Sequence, residues 1–586
     1  MRNFFKYTLA SFLGVLLALI ALIFIGIGLA SAILSNAPDE VKLKPHTVLQ
    51  LDLKTPITDR TISSPYDIMS ITTMNLTGTL GLYDILENLS KAAQDPNVSG
   101  LLLQTDLITP GISTLVEIRE AIVEFKKSGK FVLAYGDYFT QAGYYLATAA
   151  NKIYVNPEGV LEFKGLRSEV MFYTGALEKL GVDVQVLRYG KFKAAVEPFL
   201  EKEMSAASQE QTHAYLDAIW GHMLDGISSE RNIGKEKLNE LANQVAIRSP
   251  KSALEYGFVD GLLYLDQLHD ELRSLSGLSK NDKIPTVSMK QYIHVRPAVK
   301  REYSSDRIAV IFASGTIGLN QESATKIGGH PMANTIREAR KDKRVKAIVL
   351  RVNSPGGNAI SSEIIRREVE LAAEAKPVII SMGDYAASGG YMISIPGQKI
   401  LASPTTLTGS IGVFGLLPNL ETLLEDKIGL SFDGVQTNDM AGIGSFTRSM
   451  TPQEREILQG GIDEFYKSFT GQVARGRKMD LDKVYELAEG RVWSGTDALK
   501  NGLVDELGGL SKAIDEAAEA AGLDNYRVRQ LPYLKDPLNE LLEQITGRSV
   551  QAQKIMETEV PALGDIREII RGGRVQARMP YTITIR

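Results

Sequence analysis

An internal repeat is the feature that most constrains the fold of this 586-residue chain. The stretch GDYFTQAGYYLATAANKIYVNP, which begins at Gly136, aligns without a gap on GDYAASGGYMISIPGQKILASP, which begins at Gly383. Two further pairs match in the same order: DPNVSGLLLQTDLITPG with DKRVKAIVLRVNSPGG, and SPKSALEYGFVDGL with SGTDALKNGLVDEL. Three matching blocks at nearly constant spacing predict a duplicated domain.

The repeat divides the chain into two domains. The matching blocks place the first domain at 46–274 and the second at 305–586. Single domains rarely grow beyond ~250–300 residues, so this chain is long enough for two. Between them, residues 275–304 are polar and contain Pro285 and Pro297, which predicts a linker or an exchanged segment.

Each half alternates β-branched runs with helical stretches. In the second half, RIAVIFA, VKAIVLRV and KPVIISM have strand character, whereas SSEIIRREVELAAEA has the pattern of a helix. Apolar strands that alternate with helices predict an α/β fold of βαβ units, with a mainly parallel sheet covered on both faces. Ligands of such sheets collect at the carboxyl ends of the strands, where GDYAASGG and NSPGG both lie.

Three further stretches have a clear local pattern. SAASQEQTHAYLDAIWGHMLDGISSERNI and TPQEREILQGGIDEFYKSFTGQVARGRKM are predicted as long amphipathic helices, one in each half, that pack domains or subunits together. The tail RVQARMPYTITIR is predicted as a terminal strand.

The amino-terminal segment, residues 1–45, is predicted as a membrane anchor and stem. No charged residue lies between Tyr7 and Pro38, and this run contains the ~20 apolar residues that a spanning helix needs. Arg2 and Lys6 precede the run, whereas acidic residues follow it, so the positive-inside rule leaves the amino terminus in the cytoplasm. A cleaved signal peptide is the alternative, but its apolar region is usually only ~7–15 residues long, which favours a retained anchor.

Composition excludes several classes of function. A net charge of -5 offers no basic surface for nucleic acid. The absence of cysteine rules out disulfides, thiolate metal sites and a cysteine nucleophile. The sequence has no phosphate-binding loop and no metal-ligand cluster, so neither a cofactor nor a metal is predicted.

Ser388, in GDYAASGG, is the candidate nucleophile. It is predicted to follow a strand and to start a helix, where unpaired amides can bind a developing oxyanion. Gly389 follows it, and Gly356 and Gly357 in NSPGG let a second loop approach the scissile carbonyl, so these three glycines are predicted to bind the oxyanion and substrate. The alternative is that Ser388 only caps the helix and that the glycines only permit close packing.

A serine nucleophile needs a base, and histidine is the usual one. The chain has six histidines, and none lies in the repeated loops. His330, in IGGHPM, is the nearest to the glycine loops, so it is the candidate for a histidine-based triad.

The repeat points to a lysine as the base instead. Gln141 aligns with Ser388, so only the second half has the nucleophile, whereas Lys193 aligns near Met440 or Ala441, so only the first half has the lysine. This reciprocal loss predicts one site assembled from both halves. Burial would lower the pKa of the lysine enough for it to act as a neutral base. Lys191 is two positions away, and on a strand both side chains would share a face.

Four motifs together resemble the signal peptide peptidase A family, also called protease IV, in its long duplicated form: GDYAASGGYMIS, SPTTLTGSIGVFG, RVNSPGG and KFKAAVEPF. The resemblance implies tandem domains of the Clp protease and crotonase type. It also implies Ser388 as nucleophile, Lys193 as general base and Ser410, in LTGSIG, as the hydroxyl that orients the lysine. Family members often have serine after the lysine, where this chain has Ala194.

The resemblance also sets expectations about substrates and assembly. It implies a membrane-anchored serine endopeptidase that cleaves remnant signal peptides and other hydrophobic peptides. The expected location is the bacterial inner membrane, with the catalytic domains on the periplasmic face. The expected assembly is a ring-like homo-oligomer such as a tetramer.

Two rival functions fit the sequence less well. A crotonase-like enzyme of acyl-CoA would use similar glycine loops, but no acidic pair lies near NSPGG and an outward-facing domain meets no coenzyme A. A catalytically silent membrane scaffold would have no need for Ser388, Lys193 and Ser410.

Overall fold

The computed structural model describes residues 6–7, 11–18, 20–21, 41–54, 56–61, 79–105, 110–299, 302–320, 323, 325–533 and 576–578. Most of the predicted membrane segment lies outside these residues. Within them, no helix combines the length and the apolar character that crossing a membrane requires.

The first half is built around one parallel sheet. Its strands are β1 Thr47–Asp52, β2 Ile57–Thr58, β3 Leu80–Gly81, β4 Val98–Gln104, β5 Phe131–Phe139, β6 Lys152–Leu161, β7 Asp183–Tyr189, β8 Gly261–Leu262 and β9 Thr286–Ser288. Its helices are α1 Leu82–Gln94, α2 Ile112–Lys126, α3 Gln141–Ala147, α4 Thr174–Leu180, α5 Glu197–Leu200, α6 Ala206–Arg231, α7 Lys235–Asn243, α8 Pro250–Glu255, α9 Leu265–Leu275 and α10 Met289–Tyr292. The sheet order is β8-β6-β5-β4-β1-β9. The predicted linker 275–304 therefore contributes the edge strand β9 to this sheet.

The second half has a larger sheet. Its strands are β10 Arg307–Ser314, β11 Thr316–Gly318, β12 Lys326–Gly328, β13 Val345–Ser354, β14 Gly356–Asn358, β15 Val378–Ala387, β16 Lys399–Ala402, β17 Leu407–Gly409, β18 Val413–Asn419, β19 Val492–Ser494, β20 Glu506–Leu507, β21 Arg527–Leu531 and β22 Gln576–Arg578. Its helices are α11 Gly329–Lys341, α12 Ala359–Ala375, α13 Gly389–Ser394, α14 Pro452–Arg477, α15 Leu481–Leu487, α16 Gly495–Lys500 and α17 Leu510–Ala520.

The two sheets repeat the same topology. The order β9-β1-β4-β5-β6-β8 in the first half corresponds to β21-β10-β13-β15-β16-β20 in the second, and every pair in both series is parallel. The long helices α6 and α14 are 26 residues each and begin after the side-chain caps Ser205 and Thr451. The predicted α/β class and the predicted pair of long helices are confirmed.

A third sheet joins the two halves. Its order is β12-β11-β14-β22-β18-β7, and of these six described strands β7 alone belongs to the first half. β7 pairs antiparallel with β18 along its whole length, from Tyr189 opposite Val413 to Asp183 opposite Asn419. Because of this pairing, the residues that directly follow β7 lie against the second half.

A buried ion cluster also ties the halves together. Arg351 on β13 is fully buried and donates through Nε to Asp59 Oδ1 at 2.9 Å, while its Nη2 lies 2.7 Å from Glu117 Oε1 on α2. Its Nη1 donates to Ser381 Oγ on β15 at 3.0 Å. On the same strand, Asp384 accepts from the backbone N–H of Thr114 of α2 at 3.0 Å. The first half thus holds both strands that lead into the predicted catalytic loops.

Candidate active site

Ser388 lies on a sharp turn between strand and helix. β15 ends at Ala387, α13 begins at Gly389, and Ser388 between them has φ 56° and ψ −113°. Ser388 is fully buried. A non-glycine residue with positive φ is strained, and such strain at a strand-to-helix turn is typical of the nucleophile of hydrolases. Gly390 makes the turn possible, because a Cβ there would lie 2.6 Å from the carbonyl oxygen of Ser354.

The Ser388 side chain does not cap the helix that follows it. It makes no hydrogen bond to the amides of α13, whereas Thr140, at the corresponding turn of the first half, accepts from the N–H of Gly143 at 3.0 Å. Ser388 Oγ is instead hydrogen-bonded to Lys193 Nζ at 2.8 Å. The capping alternative is therefore wrong for Ser388.

The ladder between β7 and β18 brings Lys193 to the serine. Lys193 follows the end of β7 by four residues, and Ser410 precedes the start of β18 by three, so the antiparallel register places them side by side. Lys193 Nζ donates to Ser410 O at 2.9 Å and lies 3.0 Å from Ser410 Oγ. The three residues that the family resemblance implies as nucleophile, base and orienting hydroxyl thus meet at one nitrogen atom.

Lys193 is completely buried, and burial alone lowers its pKa well below the ordinary 10.5. Desolvation disfavours the charged ammonium, and among the described residues no carboxylate lies within 4 Å of it to offset this effect. The amine is therefore disposed to be neutral and to accept a proton.

Two glycines make room for the lysine. Gly490 has φ +79°, and a Cβ there would lie 2.7 Å from both Cβ and N of Lys193. A Cβ on Gly412 would lie 3.3 Å from Lys193 Cδ. The sequence reasoning did not select these glycines, although the repeat held a signal: Val245 occupies the position of Gly490 in the first half.

The predicted oxyanion glycines surround the serine turn. Gly389 is the first residue of α13, so its N–H has no intrahelical acceptor. Gly356 donates its N–H to Ser354 Oγ at 3.1 Å, and Gly357 pairs with Ile317 on one side and with Ala577 of β22 on the other. The N–H of Ser388 itself donates to the carbonyl of Gly409 at 2.8 Å.

The alternative bases lie elsewhere. Lys191 is exposed and forms an ion pair with Glu489 at 3.6 Å. The expectation that Lys191 and Lys193 share a strand face is wrong, because β7 ends at Tyr189 and both lysines lie in the turn beyond it. His330 is exposed at the start of α11, and in the described part of the chain it makes no hydrogen bond to Ser388.

The residues that align with Ser388 and Lys193 in the opposite halves lie in different surroundings. Gln141 is buried, and its Oε1 accepts from the N–H groups of Lys164 and Gly165, each at 2.9 Å. Met440 and Ala441 lie in a turn segment of the second half. Within the described residues, the serine and lysine are therefore brought together once per chain.

A strained serine that is hydrogen-bonded to a buried lysine, whose pKa burial lowers, is the arrangement of a serine hydrolase. The model of Peptidase family S49 matches two segments, 124–279 and 370–524. Protease 4 of Salmonella typhi is 39% identical over 484 residues, which cover 80% of this chain and 77% of that protein. Protease 4 of Haemophilus influenzae is 36% identical over 450 residues, 75% of this chain and 73% of its own.

The chloroplastic serine protease SPPA of Arabidopsis thaliana is 35% identical over 506 residues, which cover 85% of this chain and 74% of that protein. This chain belongs to peptidase family S49 and is a serine peptidase with a duplicated domain. The predicted resemblance is confirmed, and the family favours neither an acyl-CoA enzyme nor a silent scaffold.

Proposed function

We propose that this serine peptidase hydrolyses peptide bonds with Ser388 as nucleophile, Lys193 as general base and Ser410 as the group that orients the lysine. The supporting observation is the 2.8 Å contact between Lys193 Nζ and Ser388 Oγ, made by a buried amine that forms no ion pair with any described residue. Hydrogen-bond reach and a pKa near the working pH are the two requirements for a general base.

In this mechanism, neutral Lys193 Nζ takes the proton of Ser388 Oγ as that oxygen bonds to the scissile carbonyl carbon. The ammonium that forms is held by the carbonyl and hydroxyl oxygens of Ser410. It then protonates the leaving amine, which leaves an acyl ester on Ser388. Water, deprotonated by the same lysine, hydrolyses the ester and releases the serine.

The developing oxyanion is proposed to bind at the loops of Gly356, Gly357 and Gly389. Of the backbone amides at the turn, that of Ser388 is engaged with Gly409, whereas that of Gly389 has no acceptor within its helix. Gly389 is thus the best-supported donor of the three.

The substrates are proposed to be extended hydrophobic peptides, remnant signal peptides among them. β14, next to the serine turn, pairs antiparallel with β22, so the main chain of Gly356–Asn358 already accepts an extended segment. Hydrophobic substrates fit an enzyme held at a membrane. Each half of the chain is also proposed to have a fold of the Clp protease and crotonase type, as the family resemblance implies.

The chain is proposed to be anchored in a bacterial inner membrane with its catalytic domains on the periplasmic side. The uncharged run from Tyr7 to Pro38 and the basic residues before it support this proposal. A protease added to intact spheroplasts should digest the domain beyond residue 46. Digestion only after lysis would contradict this topology.

A homo-oligomer, such as a ring-like tetramer, is proposed as the working form. Residues 430–437, the counterparts of β7, form no strand and leave Leu430, Phe432 and Val435 exposed. The first-half equivalent is paired within the chain, so a second copy is the natural partner for this segment. Val435→Glu should lower the mass measured by sedimentation, whereas Tyr303→Glu, at an exposed residue elsewhere, should not.

The decisive experiment for the chemistry is covalent labelling with a fluorophosphonate, followed by peptide mapping. The label should appear on the peptide that contains Ser388, and Ser388→Ala should abolish it. Ser511→Ala, which removes an exposed hydroxyl of the same half, should leave it unchanged. Labelling that persists in Ser388→Ala would contradict the proposed nucleophile.

A further inference from the structure

Gln211 on the long helix α6 connects the two halves beside the candidate active site. Its side chain is 1% exposed although it is polar, and both ends of its amide are used. Nε2 donates to the backbone carbonyl of Phe192 in the first half at 3.1 Å. Oε1 accepts from the backbone N–H of Val492 in the second half at 3.2 Å.

These two bonds close a ring of hydrogen bonds around the lysine. Phe192 directly precedes Lys193, and Val492 directly follows Arg491, whose carbonyl accepts from the N–H of Ser410 at 2.7 Å. Ser410 accepts in turn from Lys193 Nζ. Gln211 is the one side chain in this ring, apart from Lys193 and Ser410 themselves, and it sets the distance between the backbones that carry them.

The duplicated helix shows that this glutamine accompanies the lysine. α6 and α14 begin after equivalent caps, Ser205 and Thr451, and the sixth residue after each cap is Gln211 and Ile457 respectively. Ile457 is 50% exposed, and its apolar side chain can form no hydrogen-bonded bridge. The amide thus occurs only in the half that contributes the lysine, although the two helices are otherwise matched in length and capping.

Other contacts hold the same region together without Gln211. The Phe192 N–H donates to the Glu489 carbonyl at 2.9 Å, and the Arg491 guanidinium lies over the rings of Phe192 and Trp493. A loss of the amide should therefore loosen the register of Lys193 against Ser410 without separating the halves.

We infer that Gln211 is a positioning residue of the peptidase: by bridging Phe192 and Val492, it fixes Lys193 against Ser410 and Ser388. It touches neither substrate nor the reacting atoms and acts through the lysine. The inference rests on the proposed role of Lys193 as general base.

The test compares Gln211→Met with Gln209→Met in the full-length, detergent-extracted protein. Both variants make the same chemical change on one helix, but Gln209 is exposed and donates only to the carbonyl of Met204 in its own chain segment. Neither substitution removes a partner of the nearby ion pairs, Arg491 with Glu210 and Lys191 with Glu489.

Gln211→Met should lower kcat by about tenfold or more while KM stays within about twofold, because the lost bonds orient the base and do not bind substrate. The acid limb of its pH–rate profile should move to higher pH, since a loosened site admits water to the amine and weakens the desolvation that lowers its pKa. The thermal midpoints of the two variants should agree within a few degrees.

Two results would overturn the inference. One is a kcat and pH profile in Gln211→Met equal to those of Gln209→Met. The other is a joint fall of kcat, substrate affinity and thermal midpoint with an unmoved acid limb, which would indicate a role in folding only. If the unsubstituted protein neither hydrolyses peptides nor takes the fluorophosphonate label, it is the proposed function that fails, and the two failures are thus distinguishable.

Discussion

Lys193 Nζ lies 2.8 Å from Ser388 Oγ, although 195 residues separate them and each belongs to a different copy of the duplicated domain. The lysine follows the end of β7 and the serine follows the end of β15, which belong to different sheets, and the pairing of β7 with β18 brings the lysine to the serine. Each copy has thus kept one half of the pair.

The identity of the base can be tested by three substitutions. Lys193→Ala should reduce kcat by about a thousandfold or more, since the serine loses the amine to which it is hydrogen-bonded and general base catalysis contributes about 10²–10⁴-fold. Lys191→Ala and His330→Ala should each leave kcat within about twofold, because both side chains are exposed and away from Ser388. A dead His330 variant beside an active Lys193 variant would contradict the assignment.

The rate of hydrolysis should rise with pH through the lowered pKa of Lys193. Only the neutral amine can take the serine proton, and desolvation lowers the pKa of this amine well below 10.5, so the active form gains population at a correspondingly lower pH. The profile of kcat/KM against pH should show a single acid limb in that range. A limb at the ordinary lysine pKa would mean that the amine is solvated in the active enzyme.

The contact between Gly490 and Lys193 predicts a steric way to inactivate the enzyme. Gly490→Ala should abolish activity, because its methyl would lie 2.7 Å from the lysine backbone and displace the base. Gly429→Ala is the matched control: its φ is also +79°, but nothing lies within 4 Å of the added methyl. Both variants incur the cost of about 1–2 kcal/mol for left-handed backbone, so equal activities would contradict the steric argument.

The joint site predicts that neither half hydrolyses peptides alone. A chain with Ser388→Ala and a chain with Lys193→Ala should both be inactive, and mixed oligomers of the two should stay inactive because the contact forms within one chain. Activity assays after co-expression, with the mixture verified by two affinity tags, check this. Recovery would place serine and lysine in different chains, and hydrolysis by the isolated second half would contradict the joint site.

The buried carboxyl of Asp384 should make the free energy of unfolding depend on pH, and Asp384→Asn should remove that dependence. Burial raises its pKa, with the N–H and hydroxyl of Thr114 and the charge of Arg351 opposing the shift only in part. A carboxyl with a raised folded pKa contributes stability that is present below its unfolded pKa, about 3.9, and is lost as the pH rises through the folded value. Asp384→Asn removes this titration and keeps an acceptor for Thr114.

Urea midpoints should therefore agree for the two proteins at acidic pH, and the Asn variant should gain relative stability as the pH rises. Asp137→Asn, at the exposed counterpart of Asp384 in the first half, serves as the control. If the urea midpoints of the unsubstituted protein and of Asp384→Asn differ by the same amount at every pH, folding does not change the pKa of Asp384.

Local sequence was sufficient for much of the architecture. The repeat predicted two α/β domains, the amphipathic stretches predicted α6 and α14, and the strand-then-glycine pattern predicted the turn at Ser388. Such features depend on neighbours in the chain: side-chain periodicity sets helix or strand, and small residues permit a sharp turn. The reciprocal loss at Gln141 and Met440 or Ala441 also pointed to a lysine of the first half, Lys191 or Lys193, since it compares positions within one sequence.

The tertiary structure decided what local pattern leaves open. Lys191 and Lys193 are indistinguishable by spacing, and only the pairing of β7 with β18 buries one and exposes the other. Thr286–Ser288, in the predicted linker, forms the edge strand of the first sheet, where it pairs with β1 on the side opposite β4. Gln211 bridges backbones that lie 19 and 281 residues away. Contacts between segments this distant leave no local signature, because their energy depends on register and burial that exist only after the chain has folded.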